Sequence, residues 1–204
     1  MMTAVAEGRL AEKKKRVVFE FGDPDSGWVH LTVMFDDEPV YTLSLTNVWG
    51  DPVQQLLQWL ERIASEQYEP QCLHHDGEGR DYVFMFERML FPTDEIYDED
   101  NRYYDYGLFS VYGDGCDRLA ELVWAVCDTD EFVEGLYASI QDFARRLKQN
   151  GSAVRRWGYG FLSQNEHGLK RMLDNLRSDM LDQYFKKGKK DEEETKNKRC
   201  TIDA

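Results

Sequence analysis

Apolar residues recur at every second position early in the chain, and the period then changes. VVFEF (17–21) predicts a short strand, and the GDPDSG behind it is dense in turn residues. WVHLTVMF places Val29, Leu31, Val33 and Phe35 on one face, and PVYTLSLTNV does the same for Tyr41, Leu43 and Leu45. With DDEP between them as the turn, the two segments predict a period-2 hairpin. GDPVQQLLQWLERIASEQ then shifts to helical spacing, with Val53, Leu56, Leu57, Leu60, Ile63 and Ala64 as the apolar stripe. Asp51 suits the N-cap and Pro52 the first helical position, so a helix is predicted over 52–67.

EPQCLHH and RDYVFMFERMLF predict two more strands around the turn DGEG, the second apolar on both faces as a central strand would be. DYGLFSVYG predicts a further strand. The stretch 117–127, DRLAELVWAVC, fits two patterns: Leu119, Leu122, Val123 and Val126 have helical spacing, while LVWAVC also suits a buried strand. The strand, paired through GDGC, is the preferred reading. DTDEFVEGLYASIQDFARRLKQNG predicts a helix capped near Asp128 or Thr129, with Phe132, Leu136, Ile140, Phe143 and Leu147 on one face and Gly151 as its stop. Ser163 and Glu166 have capping-box spacing and open a second long helix through Leu169, Met172, Leu173, Leu176, Met180 and Tyr184.

Strands, one helix, more strands and then helices predict an α+β fold, an antiparallel or mixed sheet with helices packed on one face and C-terminal helices. Residues 17–186 form the single expected domain. Residues 1–16 are expected to be a flexible basic leader, and residues 187–204, which lack apolar periodicity, a disordered charged tail. At 204 residues and 42% hydrophobic content the chain has enough apolar material for one sizeable core.

Charge changes this picture more than composition does. The chain carries −14 in total, but residues 1–16 are net +3 and residues 186–204 net +2, which leaves −19 on residues 17–185. A body this acidic repels nucleic acid and anionic membranes and attracts basic partners. No stretch approaches the roughly 20 apolar residues that cross a bilayer, and the N-terminal basic run follows the weakly apolar part, the reverse of a signal peptide. These features predict a cytoplasmic protein. Cys72, Cys116, Cys127 and Cys200 include no C-x-x-C pair and are expected to be reduced thiols. Without a secretory route, the NGS at Asn150 is expected to be only a loop between helices, and Cys200 stands fifth from the end of the sequence, so CTIDA is not a prenylation box.

Sequence motifs of enzymes are missing: no G-x-S-x-G elbow, P-loop, H-E-x-x-H or dinucleotide glycine pattern occurs. CLHHD offers Cys72 and His74 to one face of a strand, with His75 and Asp76 pointing elsewhere, too few ligands for zinc. Asp114 and Asp117 in YGDGCD are spaced poorly for calcium and suit a turn. RRWGYGF (155–161) mixes arginine with aromatics as single-strand binders do, but on so acidic a body it fits an internal charge partner or a helix-packing element better. No catalytic residue, metal or cofactor is assigned.

What remains is TDEIYDEDNRYYDY, Thr93 to Tyr106, with six carboxylates and four tyrosines in fourteen residues. Tyrosine gives a partner large, rigid area with one polar tip, and carboxylates around it steer a cationic partner inward. The candidate partner-binding residues are Asp94, Glu95, Tyr97, Asp98, Glu99, Asp100, Tyr103, Tyr104, Asp105 and Tyr106. The RYYDY within this stretch resembles the paired tyrosines flanked by acids with which colicin nuclease immunity proteins cover their toxins. That resemblance, joined to the acidic, motif-free α+β composition, implies an immunity protein of a bacterial toxin system. Tyr103 and Tyr104 would be its anchors, and Asp98, Glu99, Asp100 and Asp105 its charged surround. The colicin inhibitors are small helical bundles, so their fold does not carry over to this strand-rich chain. The expected function is thus a non-enzymatic inhibitor that occludes a basic toxin or nuclease. Two other readings stay open: an enzyme whose surface carboxylates hold a divalent metal, and a scaffold or adaptor subunit.

Overall fold

Two antiparallel meanders make up the strands of the computed structural model, which describes residues 13–48, 50–65, 69–77, 79–89, 106–115, 118–151, 156–157 and 173–186. The first sheet has the order β1 (Val17–Phe21), β2 (Trp28–Phe35), β3 (Glu38–Thr46), and the second β4 (Gln71–Asp76), β5 (Asp81–Met89), β6 (Tyr106–Gly115), β7 (Arg118–Asp128). Helix α1 (Pro52–Ala64) joins the sheets and α2 (Thr129–Gln149) follows β7. The chain is therefore α+β, with antiparallel sheets and a helical C-terminal segment, although its strands divide into two sheets.

Alternation places Val17, Phe19 and Phe21, then Val29, Leu31 and Val33, then Leu43 and Leu45 in the core. The β2–β3 turn is tighter than the DDEP expected from sequence. β3 starts at Glu38, and Asp36 and Asp37 alone make the connection with φ of 52° and 71°. Two left-handed residues give the twist that a two-residue hairpin needs, and aspartate tolerates that conformation better than most side chains.

α1 begins as its sequence predicts: the Asp51 carboxylate accepts the N–H groups of Val53 and Gln54 at 2.9 and 3.3 Å. It ends at Ala64 with Ser65 as C-cap, three residues before the expected boundary. The buried face also includes Trp59, which the predicted stripe omitted; its indole N–H donates to the Gln71 carbonyl at 2.9 Å and ties α1 to β4.

In the second sheet, residues 118–128 are strand, because β6 offers them a continuous partner and Val123, Ala125 and Cys127 alternate into the core. β5 lies between β4 and β6, but it is not buried on both faces as expected: Tyr82, Phe84 and Phe86 enter the core, and Val83, Met85 and Glu87 are only half-buried. Gly107 on β6 is fixed by its neighbour, since a Cβ there would stand 2.0 Å from the Phe86 ring.

One cluster unites the sheets and helices. Phe132 of α2 meets Phe19, Phe86, Phe109 and Trp59 at ring separations of 5.5, 4.6, 5.1 and 6.0 Å. These contacts draw on β1, β5, β6 and α1, so burying this one side chain, worth about 1.5–3 kcal/mol, joins every layer. The segment leading into β1 also reaches the second sheet, where the Lys15 N–H donates to the Val126 carbonyl of β7 at 2.8 Å.

α2 is capped by Asp128, whose carboxylate accepts the Glu131 N–H at 3.0 Å. It stops at Asn150, whose N–H returns to the Arg146 and Leu147 carbonyls, one residue before the glycine nominated by sequence. The second long helix is interrupted. Residues 163–172 lie outside the described residues, and 173–174 are helical, 175–178 are not, and 179–186 are helical again. Ser178 restarts it, its hydroxyl accepting the Leu181 N–H at 3.2 Å and lying 2.5 Å from a Glu61 carboxylate oxygen. The break shifts the apolar phase by one position: Leu181 is 0% exposed, and Met180, expected in the buried stripe, is 38% exposed.

Candidate functional site

Asp94, Glu95, Tyr97, Asp98, Glu99, Asp100, Tyr103, Tyr104 and Asp105 lie outside the described residues. Tyr106, the last member of the acidic stretch, opens β6. It pairs in register with Met89 on one side and Asp128 on the other, so β5 ends and β6 begins at one rung. Its half-buried ring packs with Trp124 against Leu108 and Val126 on the sheet face opposite the main core.

Lys14 ties this rung to the start of α2. Its Nζ stands 5.5 Å from the centre of the Tyr106 ring, 3.5 Å from Asp128 and 3.9 Å from Glu131. The backbone of Lys15 is held by β7, the Arg16 N–H donates to Asp36 at 3.0 Å, and the Arg16 guanidinium bonds Asp37. Lys14, Lys15 and Arg16, assigned from sequence to a free leader, thus make defined contacts with the domain.

From Glu131 a groove runs between the outer edge of β1 and α2. The edge is closed by side chains: the Ser139 hydroxyl lies 2.5 Å from the Phe19 carbonyl, and the Arg146 guanidinium bonds the Phe21 carbonyl. Gly135 lets the helix come this near, since a Cβ there would already stand 3.3 Å from the Val17 carbonyl. Above this contact the groove encloses about 770 Å³. Four acids line it, Glu20, Glu131, Glu134 and Asp142, against two arginines, Arg16 and Arg146. Both arginines are engaged at the ends, Arg16 with Asp37 and Arg146 with Asp23 and Asp142 at 2.9 Å each. Hydrogen bonds from Arg145, reinforced by Arg146, hold the Asp142 carboxyl below its ordinary range. Glu20 and Glu134 make no ion pair among the described residues and leave the middle of the groove negative.

The remaining sequence candidates take structural places. Cys72 and His74 are exposed on β4, as their shared face predicts, and His75 is buried on the other face. Asp76 differs from expectation: it is exposed with Cys72 and His74 because the alternation continues to the strand's end. No group of three His, Cys, Asp or Glu side chains placed to hold a metal occurs among the described residues. In RRWGYGF, Trp157 is 1% exposed and meets Phe143 edge-on at 5.8 Å, while the Arg156 carbonyl accepts the Gly27 N–H at 2.9 Å. This is the packing role favoured from sequence. Cys116 and Asp117, at the β6–β7 hairpin, lie outside the described residues.

Sequence reasoning missed the groove. Its only linear trace is the outward face of α2, where Glu131 and Glu134 precede the small residues Gly135, Ala138 and Ser139. Among the described residues, no helix is long and apolar enough to cross a membrane. No protein-family model, curated protein or solved structure matches the chain.

Proposed function

We propose that the protein is a non-enzymatic acidic binding protein of the immunity type, which inhibits a basic toxin or nuclease by covering it. The observation that supports this reading is the place of Tyr106: this last residue of the acidic tyrosine-rich stretch pairs in register with Asp128, the N-cap of α2, and four acids line the groove along that helix. The acids occupy the place of phosphates or hold the basic residues around the partner's active site, and Tyr103 and Tyr104 fill its groove. Such charge complementarity acts chiefly on encounter, lifting association from an ordinary ~10⁵–10⁶ towards ~10⁸–10⁹ M⁻¹s⁻¹ at low salt. Buried aromatic anchors then slow dissociation.

The test is inhibition. The purified protein is titrated against the basic toxin or nuclease encoded beside it, and toxin activity is measured as a function of molar ratio. Stoichiometric loss of activity is expected. The absence of any basic toxin-like neighbour, or full toxin activity at molar excess, would end this reading.

A further inference from the structure

We propose that the groove between β1 and α2 receives an extended basic segment of the partner, with a lysine or arginine head seated between Glu20 and Glu134. The proposal rests on the reading of the protein as an acidic binding module and adds to it a second contact, separate from the tyrosine-rich stretch. Three features of the groove select this occupant.

The first is length. The five residues of β1 span roughly 16 Å at strand rise, and α2 from Glu131 to Arg146 covers about 22 Å at helix rise, so the walls match an extended peptide of about five residues. The second is the pattern of charge. Arg16 and Arg146 stand at the two ends and are already bonded to carboxylates, whereas Glu20 and Glu134 between them lack an ion-pair partner among the described residues. The charge at the ends is thus compensated, and a cation is drawn to the middle, where the carboxylates are not paired. The third is the floor. Ala138 is exposed and Gly135 and Ser139 are small, which leaves room for the aliphatic stem of lysine or arginine while its head reaches a carboxylate. Backbone pairing with β1 is not available to the segment, because Ser139 and Arg146 already hold the Phe19 and Phe21 carbonyls. Side-chain charge must supply the recognition.

A labelled hexa-arginine peptide, titrated into the full chain at low ionic strength and followed by fluorescence anisotropy, is the probe. Ala138→Arg fills the floor with a cation at an exposed helical position, and Gln58→Arg adds the same charge on the exposed side of α1, which lines no part of the groove. Ala138→Arg is expected to weaken peptide binding about tenfold, and Gln58→Arg by no more than about twofold. Glu20→Gln with Glu134→Gln provides a second route, removing the two carboxylates without adding bulk, and is also expected to weaken binding. Equal weakening by Ala138→Arg and Gln58→Arg would mean that the peptide follows net charge alone and would overturn the proposal. So would peptide binding left intact by both groove variants. If Ala138→Arg instead converts a dimer to monomers, the groove is a contact between copies of this chain and the proposal falls. Toxin inhibition separates this outcome from the broader reading: a groove variant that binds and inhibits normally sinks only the groove, whereas wild-type protein that fails to inhibit sinks both.

Discussion

His75 Nε2 accepts the backbone N–H of Thr46 at 3.2 Å, and this bond links β4 of one sheet to the last residue of β3 in the other. The imidazole is only 4% exposed, and burial pushes its pKa from 6.5 down to about 4, against an opposing pull from Asp76. The folded state therefore holds the neutral ring, the only form in which Nε2 can accept while Nδ1 carries the proton.

Stability should consequently depend on pH between these two values. The unfolded chain binds the proton at about 6.5 and the folded one only near 4, so the contribution is complete above 6.5 and is lost as pH falls towards 4. The full loss is roughly 3 kcal/mol at ~1.4 kcal/mol per pKa unit. Denaturant midpoints measured from pH 7 to pH 5 should decline for the wild type and flatten for His75→Gln. Parallel declines in the two proteins would assign the effect to other groups.

The tyrosine-rich stretch and its acids should separate kinetically. Tyr103→Ala with Tyr104→Ala is expected to raise the off-rate from the toxin, because buried aromatics hold a formed complex together. Asp98→Lys with Glu99→Lys should lower the on-rate, and the effect should fade with added salt as the field is screened over roughly 8 Å at physiological ionic strength. Surface plasmon resonance at two salt concentrations reads both. Unchanged kinetics in both variants would remove the stretch from the interface.

Gly107→Ala should destabilise the fold by about 1–3 kcal/mol, since its Cβ would strike the Phe86 ring that packs beneath Phe132. Phe132→Ala should cost more, about 3–5 kcal/mol, by opening a cavity where both sheets and both helices meet. Urea unfolding followed by tryptophan fluorescence would rank the two. A Phe132→Ala loss under 1 kcal/mol would contradict its place at the centre of the core.

Deleting residues 1–16 should lower the melting temperature, because it removes the Lys15 bond to Val126, the Arg16 contacts with Asp36 and Asp37, and the Lys14 link to Asp128. The loss should be roughly 1–2 kcal/mol, set mainly by the backbone bonds, since exposed ion pairs add little. An unchanged melt would show that these contacts carry no net free energy.

The strands were largely legible because each pairs with its sequence neighbour, so alternation and turn residues hold most of the information. Asp51 and Asp128 announced their helices for the same local reason. The misreadings arose where a distant partner decided the matter. Nothing near Met180 signals that Ser178 will restart the helix, because Ser178 is held by Glu61 and by the Tyr137 hydroxyl from two other helices. Lys14 and Lys15 look like a solvated run until β7 and α2 are placed beside them. The acids of the candidate surface are plain in the sequence, but the groove is not, since its walls come from opposite ends of the domain.

The closure of β1 by α2 also orders events during synthesis. The β1–β2–β3 meander needs only residues 17–46, whereas the side chains that cover its outer edge, Ser139 and Arg146, are joined to their β1 carbonyl partners across 120 and 125 residues of chain. Until the ribosome has released α2, the first sheet carries a bare strand edge able to pair with another nascent chain. Slow translation before residue 129 lengthens that exposure. The yield of native protein should therefore fall with concentration in refolding, through association of chains at β1.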